Sequence, residues 1–119
     1  MIVVTPGTNF MLTPTDVRES LQQLAEKNQI AVVLVQLEIQ PQVALEALKV
    51  GQELGAITIL NTAPAPEAYT LEDFFPHVDI LIPNESELQT ITGGSPDDTE
   101  EAMARTLLEK GVKKVLVTL

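Results

Sequence analysis

The tetrapeptide Asn84-Glu85-Ser86-Glu87 directly follows an apolar run and Pro83, at the point where a helical pattern begins. The first backbone N–H groups of a helix have no partner within it and carry the positive end of its dipole. An anion can therefore dock there beside an Asn side chain. Two readings of these residues stand side by side. In one, Asn84 caps the helix and Glu87, three residues on, closes a capping box. In the other, Glu87 faces a crevice and holds a magnesium ion through water, because Mg²⁺ keeps much of its hydration and takes few protein carboxylates.

Glu38 poses a similar choice. It ends the stretch Ala31 to Glu38, which is almost continuously apolar until its last residues. A carboxylate in that position is costly to desolvate unless it is paired or faces a wet crevice. It suits accepting hydrogen bonds from sugar hydroxyls, or equally from the backbone N–H groups that are present around Ile39 to Gln42, Pro41 having none. Asn61, with the Pro-rich loop Thr62-Ala63-Pro64-Ala65-Pro66, and the segment Pro6-Gly7-Thr8-Asn9 fit tight turns as well as ligand contacts. His77 has no acidic or nucleophilic neighbour in sequence and reads as a surface or half-buried residue. Gly93-Gly94 reads as a helix terminus, and without a G-x-G-x-x-G or G-x-x-x-x-G-K-[ST] the dinucleotide and P-loop readings lack their glycines.

The elements that must position these residues alternate along the chain. Apolar runs at Met1 to Thr5, Ala31 to Glu38, Ala56 to Leu60, Asp79 to Ile82 and Lys114 to Leu119 predict strands. The second should be covered on both faces, as in a parallel sheet. Thr13-Pro14-Thr15-Asp16 predicts a helix start, with Val17, Leu21, Leu24 and Ala25 on its apolar side. A second helix runs from Pro41 towards Gly55, with Ala44, Leu45, Leu48 and Leu54 on one side. Leu71 to Pro76 fits a helical turn and Glu85 to Ile91 a third helix. A last helix should begin at Ser95-Pro96-Asp97-Asp98 and end at Lys110-Gly111. Strands alternating with helices predict an α/β fold, a mostly parallel sheet with flanking helices, whose ligands bind beyond the carboxyl ends of the strands. The polar residues there are Thr5, Glu38, Asn61, Asn84 and Thr118.

Composition narrows the function classes. The 119 residues hold 17 carboxylates against 7 Lys and Arg, a net charge of −10, with only four aromatic residues, so a phosphate-tracking nucleic-acid surface is not expected. The absence of Cys and a single His remove disulfides, thiolate sites and His-rich zinc sites. The longest apolar run, Ile30 to Leu37, is too short for a membrane span, which needs about 20 residues. No membrane partner and a cytoplasmic location are the expectation.

Taken in order, Pro6-Gly7-Thr8-Asn9 with Leu12-Thr13-Pro14, Gln36-Leu37-Glu38, Asn61-Thr62-Ala63-Pro64-Ala65, Pro83-Asn84-Glu85-Ser86-Glu87, Thr92-Gly93 and Val115-Leu116-Val117-Thr118-Leu119 resemble the central part of a ribokinase. Ribokinases sit within the wider carbohydrate kinase family named after a minor phosphofructokinase. The resemblance covers essentially the whole chain. It implies a partial Rossmann-like kinase fold and transfer of the γ-phosphoryl of ATP to the 5-hydroxyl of D-ribose, with Mg²⁺, and with K⁺ as an activator bound outside this chain. Glu38 matches the sugar-contacting Glu, Asn84 and Glu87 the N-x-x-E motif that positions phosphates and hydrated magnesium, and Thr118 the first residue of a nucleotide-binding T-L-G segment. Asn61 matches the Asn of N-P-A-P-A and supports its loop, with Thr62 in place of the first Pro.

The family's N-terminal lid region, with N-x-D and G-G-K-G-A-N, and its C-terminal D-T-T-G-A-G-D segment, which holds the anion hole and the catalytic base, do not occur in these residues. Both ends also fall inside strand patterns. Residues 1–119 are accordingly expected to be the central part of a longer enzyme and inactive alone, with a homodimer of the complete enzyme as the expected assembly. An alternative is a non-catalytic nucleotide-binding or subunit-association module. A flavodoxin-like receiver would need an acidic pair and an acceptor Asp where Pro6-Gly7 and Asn61-Thr62 stand.

Overall fold

Strands joined by helical crossovers must run parallel, and the short crossovers of this chain leave each strand beside its predecessor. The computed structural model describes residues 2–5, 13–27, 29–36, 41–62 and 71–118. Among them five strands, β1 (Ile2–Thr5), β2 (Val32–Gln36), β3 (Ile57–Asn61), β4 (Ile80–Ile82) and β5 (Lys114–Val115), form one sheet in the order β1-β2-β3-β4-β5. All four pairings are parallel.

Local signals start and stop the helices where the chain must turn back. In α1 (Pro14–Lys27) the Thr13 hydroxyl accepts from the Asp16 N–H at 3.1 Å, while the Thr13 N–H donates to the Asp16 carboxylate at 3.1 Å. Val17 and Leu21 are buried, Ala25 is partly buried and Leu24 is exposed. Helix α2 (Pro41–Glu53) ends at Gly55, whose φ of +76° a residue with a side chain rarely adopts. Gly51 lets α2 lie close to the sheet, since a Cβ there would stand 3.0 Å from side-chain atoms of Val33 and Thr58.

The alternation of burial along the strands shows which face carries the core. Val33, Val35, Thr58, Leu60 and Leu81 are buried against the helices, together with Ala44, Ala47 and Leu48 of α2. The intervening residues of β2, β3 and β4 are half-buried, apart from Ile57, which is 48% exposed. The expectation that β2 is covered on both faces is thus corrected among the described residues. A sequential parallel order sends right-handed crossovers to one side, so the helices cover one face and leave the other half open.

Two boundaries also differ from the sequence reading. The last helix, α4 (Glu100–Glu109), starts at Thr99, whose hydroxyl accepts from the Ala102 N–H at 3.1 Å. Ser95 and Asp98 instead close a turn of their own, with Ser95 N–H donating to the Asp98 carboxylate at 2.8 Å and Asp98 N–H to the Ser95 carbonyl at 2.9 Å. The fifth strand is two residues long and is followed by an isolated bridge at Thr118. Leu71 to Pro76 does turn, ending in the short 3₁₀ segment Phe75–His77. His77 is half-buried as expected, with Nδ1 2.7 Å from Gln52 Oε1.

Asp79 fastens the start of β4. Its carboxylate accepts from the Thr58 N–H at 2.9 Å and pairs with Lys113 Nζ at 3.1 Å. Burial pushes this carboxyl up, but the Thr58 N–H and the Lys113 ammonium outweigh it and hold it below the ordinary aspartate value of 3.8. Asp79→Ala should lower stability by about 1–2 kcal/mol near neutral pH in urea unfolding. A depressed folded pKa contributes stability above the unfolded value and loses it as Asp79 protonates, so the deficit should shrink as pH falls below about 4.

Candidate functional site

The carboxyl ends of the strands fall in line because the pairing is in parallel register. Gln36 at the end of β2 stands beside Asn61 at the end of β3, and Asn61 stands beside Ile82 of β4. The line continues past the regular strands. Thr62 N–H reaches the Ile82 carbonyl at 3.4 Å, and Asn84 forms a parallel bridge with Thr118, whose N–H donates to the Pro83 carbonyl at 2.9 Å. Asn61, Asn84, Glu87 and Thr118 are therefore gathered along one edge. Glu38 lies outside the described residues, as do Pro6 to Asn9, Leu12, Leu37, Ala63 to Pro66 and Leu119.

Helix α3 (Glu85–Thr92) is opened by a reciprocal capping box. Asn84 Oδ1 accepts from the Glu87 N–H at 2.8 Å, and the Asn84 N–H donates to Glu87 Oε1 at 2.9 Å. Ser86 Oγ donates to the same Asn84 oxygen at 2.9 Å. Gly93 closes the helix with φ +68°. The capping reading of these residues is thus present in the structure. It does not consume them. The box uses Oδ1 of Asn84 and Oε1 of Glu87, leaving the Asn84 amide nitrogen and Glu87 Oε2 outside it.

Glu87 is a buried carboxylate, only 8% exposed. No described Lys or Arg pairs with it, so its charge is met by neutral donors and by the N-terminal end of α3. One donor joins from outside the turn: Thr62, fully buried, places its hydroxyl 3.4 Å from Glu87 Oε1. From the sequence Thr62 is a loop residue in place of the family's first Pro, with no sign of this contact. Its partner lies 25 residues away, and the β3–β4 register that joins them has no local signature. At the start of α4, partial desolvation and the neighbouring Glu85 carboxylate raise the exposed Glu100 carboxyl above its usual value.

A fully protein-ligated metal does not fit this edge, since no group of three or more His, Asp or Glu residues among the described ones could hold an ion. A single carboxylate beside a helix N-terminus fits a hydrated divalent cation shared with an anionic ligand. No described helix is long and apolar enough to cross a membrane.

The sequence pattern described as pfkB family carbohydrate kinase matches residues 1–119. A bifunctional ribokinase/ribose-5-phosphate isomerase A from Fructilactobacillus sanfranciscensis is 39% identical over 119 residues, which cover 98% of this chain and 21% of that protein. A ribokinase from Mus musculus is 34% identical over 126 residues, 100% of this chain and 36% of that protein. The chain thus spans about a fifth to a third of these relatives. Among solved structures, an Arabidopsis thaliana ribokinase complexed with ribose and ATP superposes over 96% of this chain and 34% of its own, with a TM-score of 0.65 and 24% identity. That likeness speaks for the fold.

Asparagine and aspartate cap helices about equally well, whereas alanine does not. Asn84→Ala should cost about 1 kcal/mol of stability and Asn84→Asp less than about half of that, as measured by denaturant unfolding.

Proposed function

Because the chain belongs to the pfkB family of carbohydrate kinases, we propose that residues 1–119 supply part of the nucleotide, magnesium and sugar sites of an ATP-dependent ribokinase. The reaction is transfer of the γ-phosphoryl of ATP to the 5-hydroxyl of D-ribose. The observation that carries this reading is the buried Glu87 carboxylate, set at the carboxyl ends of parallel strands and one turn from the Asn84–Thr118 bridge. Ligands of open α/β sheets bind at such ends.

Each residue then has a part set by its chemistry. The first-turn amides of α3 and the Asn84 side-chain amide donate to phosphate oxygens. Glu87 would hold a magnesium ion through water with Oε2, and the ion would supply neutralising charge for the phosphates. Thr118, at the bridge, lies beside the nucleotide. Glu38, two residues beyond the Gln36–Asn61 pair, accepts from sugar hydroxyls, and Asn61 supports the loop that follows it. None of these side chains is a base for the sugar hydroxyl, and the glycine-rich D-T-T-G-A-G-D segment is not within these residues. Phosphoryl transfer rests on positioning and charge stabilisation, so residues 1–119 by themselves should not turn over ribose.

In the complete kinase, Glu87→Gln should lower turnover about 10-fold or more and raise the magnesium concentration needed for half-maximal rate. Unchanged magnesium dependence would return Glu87 to capping alone. Glu38→Ala should raise the KM for ribose with a smaller effect on that for ATP, and an unaltered ribose KM would contradict its assignment.

A further inference from the structure

A threonine that is fully buried needs a partner for its hydroxyl, because valine would fill the same space without the cost of desolvating an O–H group. Among the described residues, the acceptor found by the Thr62 hydroxyl is Glu87 Oε1, at 3.4 Å, in a side chain that is itself buried. The same oxygen accepts from the Asn84 N–H at 2.9 Å. Two donors meet on one carboxylate oxygen, one from the β4–α3 turn and one from the end of β3, and together restrain the carboxylate. The second oxygen, Oε2, takes part in neither contact.

Thr62 is also tied to the sheet through its backbone. Its N–H reaches the Ile82 carbonyl at 3.4 Å, and it directly follows Asn61, which is in register with Gln36 and Ile82. The hydroxyl therefore carries the position of the β3 end onto a side chain of α3. We infer that Thr62 is a positioning residue for Glu87, its hydroxyl holding the carboxylate in the orientation that presents Oε2 to a hydrated divalent cation. This rests on the reading of Glu87 as the magnesium-side carboxylate. It adds a contact that the capping box does not need, since Asn84 and Glu87 complete that box by themselves.

The test uses the complete kinase and two readouts, calorimetric titration of Mg²⁺ into protein saturated with ADP, and the magnesium dependence of ribose phosphorylation. Thr62→Val, which keeps the shape and removes the donor, should weaken Mg²⁺ binding about 3- to 10-fold. The ribose KM should be unchanged, and Thr62→Ser should restore most of the affinity. In a Glu87→Gln background, Thr62→Val should have little further effect, because the interaction it removes is already altered. A Thr62→Val variant with wild-type Mg²⁺ affinity, or one whose effect is undiminished in the Glu87→Gln background, would overturn the inference. So would a change confined to the ribose KM, which would make Thr62 a support of the sugar loop. Should Thr62→Val fail to fold, Thr62→Ala compared with Thr62→Ser gives the same reading, with equal Mg²⁺ affinities as the contradicting result. If Glu87→Gln alone leaves Mg²⁺ binding unchanged, the underlying assignment of Glu87 fails. If it weakens binding while Thr62→Val does not, only the role of Thr62 fails.

Discussion

A carboxylate removed from water must find donors, and at Glu87 the surrounding structure is arranged around that requirement. No described basic side chain pairs with it. Its Oε1 is met by the Asn84 N–H and the Thr62 hydroxyl, and its own N–H is held by Asn84 Oδ1. Neutral donors and a helix N-terminus satisfy the charge without cancelling it. The group keeps a negative potential that a cation can use, whereas an adjacent Arg or Lys would have spent it. The same hydrogen bonds that begin α3 therefore also set up the electrostatics of the edge where the strands end.

That arrangement depends on parallel register. Gln36, Asn61 and Ile82 stand abreast, and the Asn84–Thr118 bridge extends the line after the regular strands have stopped. Because the strands follow one another in chain order, the helices collect on one face, where Val33, Val35, Leu60 and Leu81 are buried. The strong apolar character of β2 and β3 exceeds what one covered face requires.

What the sequence revealed divides along the range of the interactions. Thr13-Pro14-Thr15-Asp16 and Asn84-Glu85-Ser86-Glu87 announced their helices because a cap is made within four residues. Gly55 and Gly93 announced the ends for a comparable reason, a backbone conformation that favours glycine. Ser95 and Thr99 both carry side chains of the capping type, and the helix starts at the second rather than at the expected first. Ser95 is occupied by its own turn with Asp98, while Thr99 caps α4. The face left open at Ile57 depends on strand order, and the Thr62–Glu87 contact on which strands are neighbours. Neither is written in a window of adjacent residues. The ribokinase motifs were legible only as an ordered set, since each alone is also an ordinary turn or cap.

The most direct test of this account is where the divalent ion sits. In crystals of the complete kinase grown with ADP and Mn²⁺, anomalous scattering from manganese should place the ion one water molecule from Glu87 Oε2 and against the phosphates at the start of α3. Manganese bound to the phosphates with Glu87 turned away and engaged only in the capping box would contradict it.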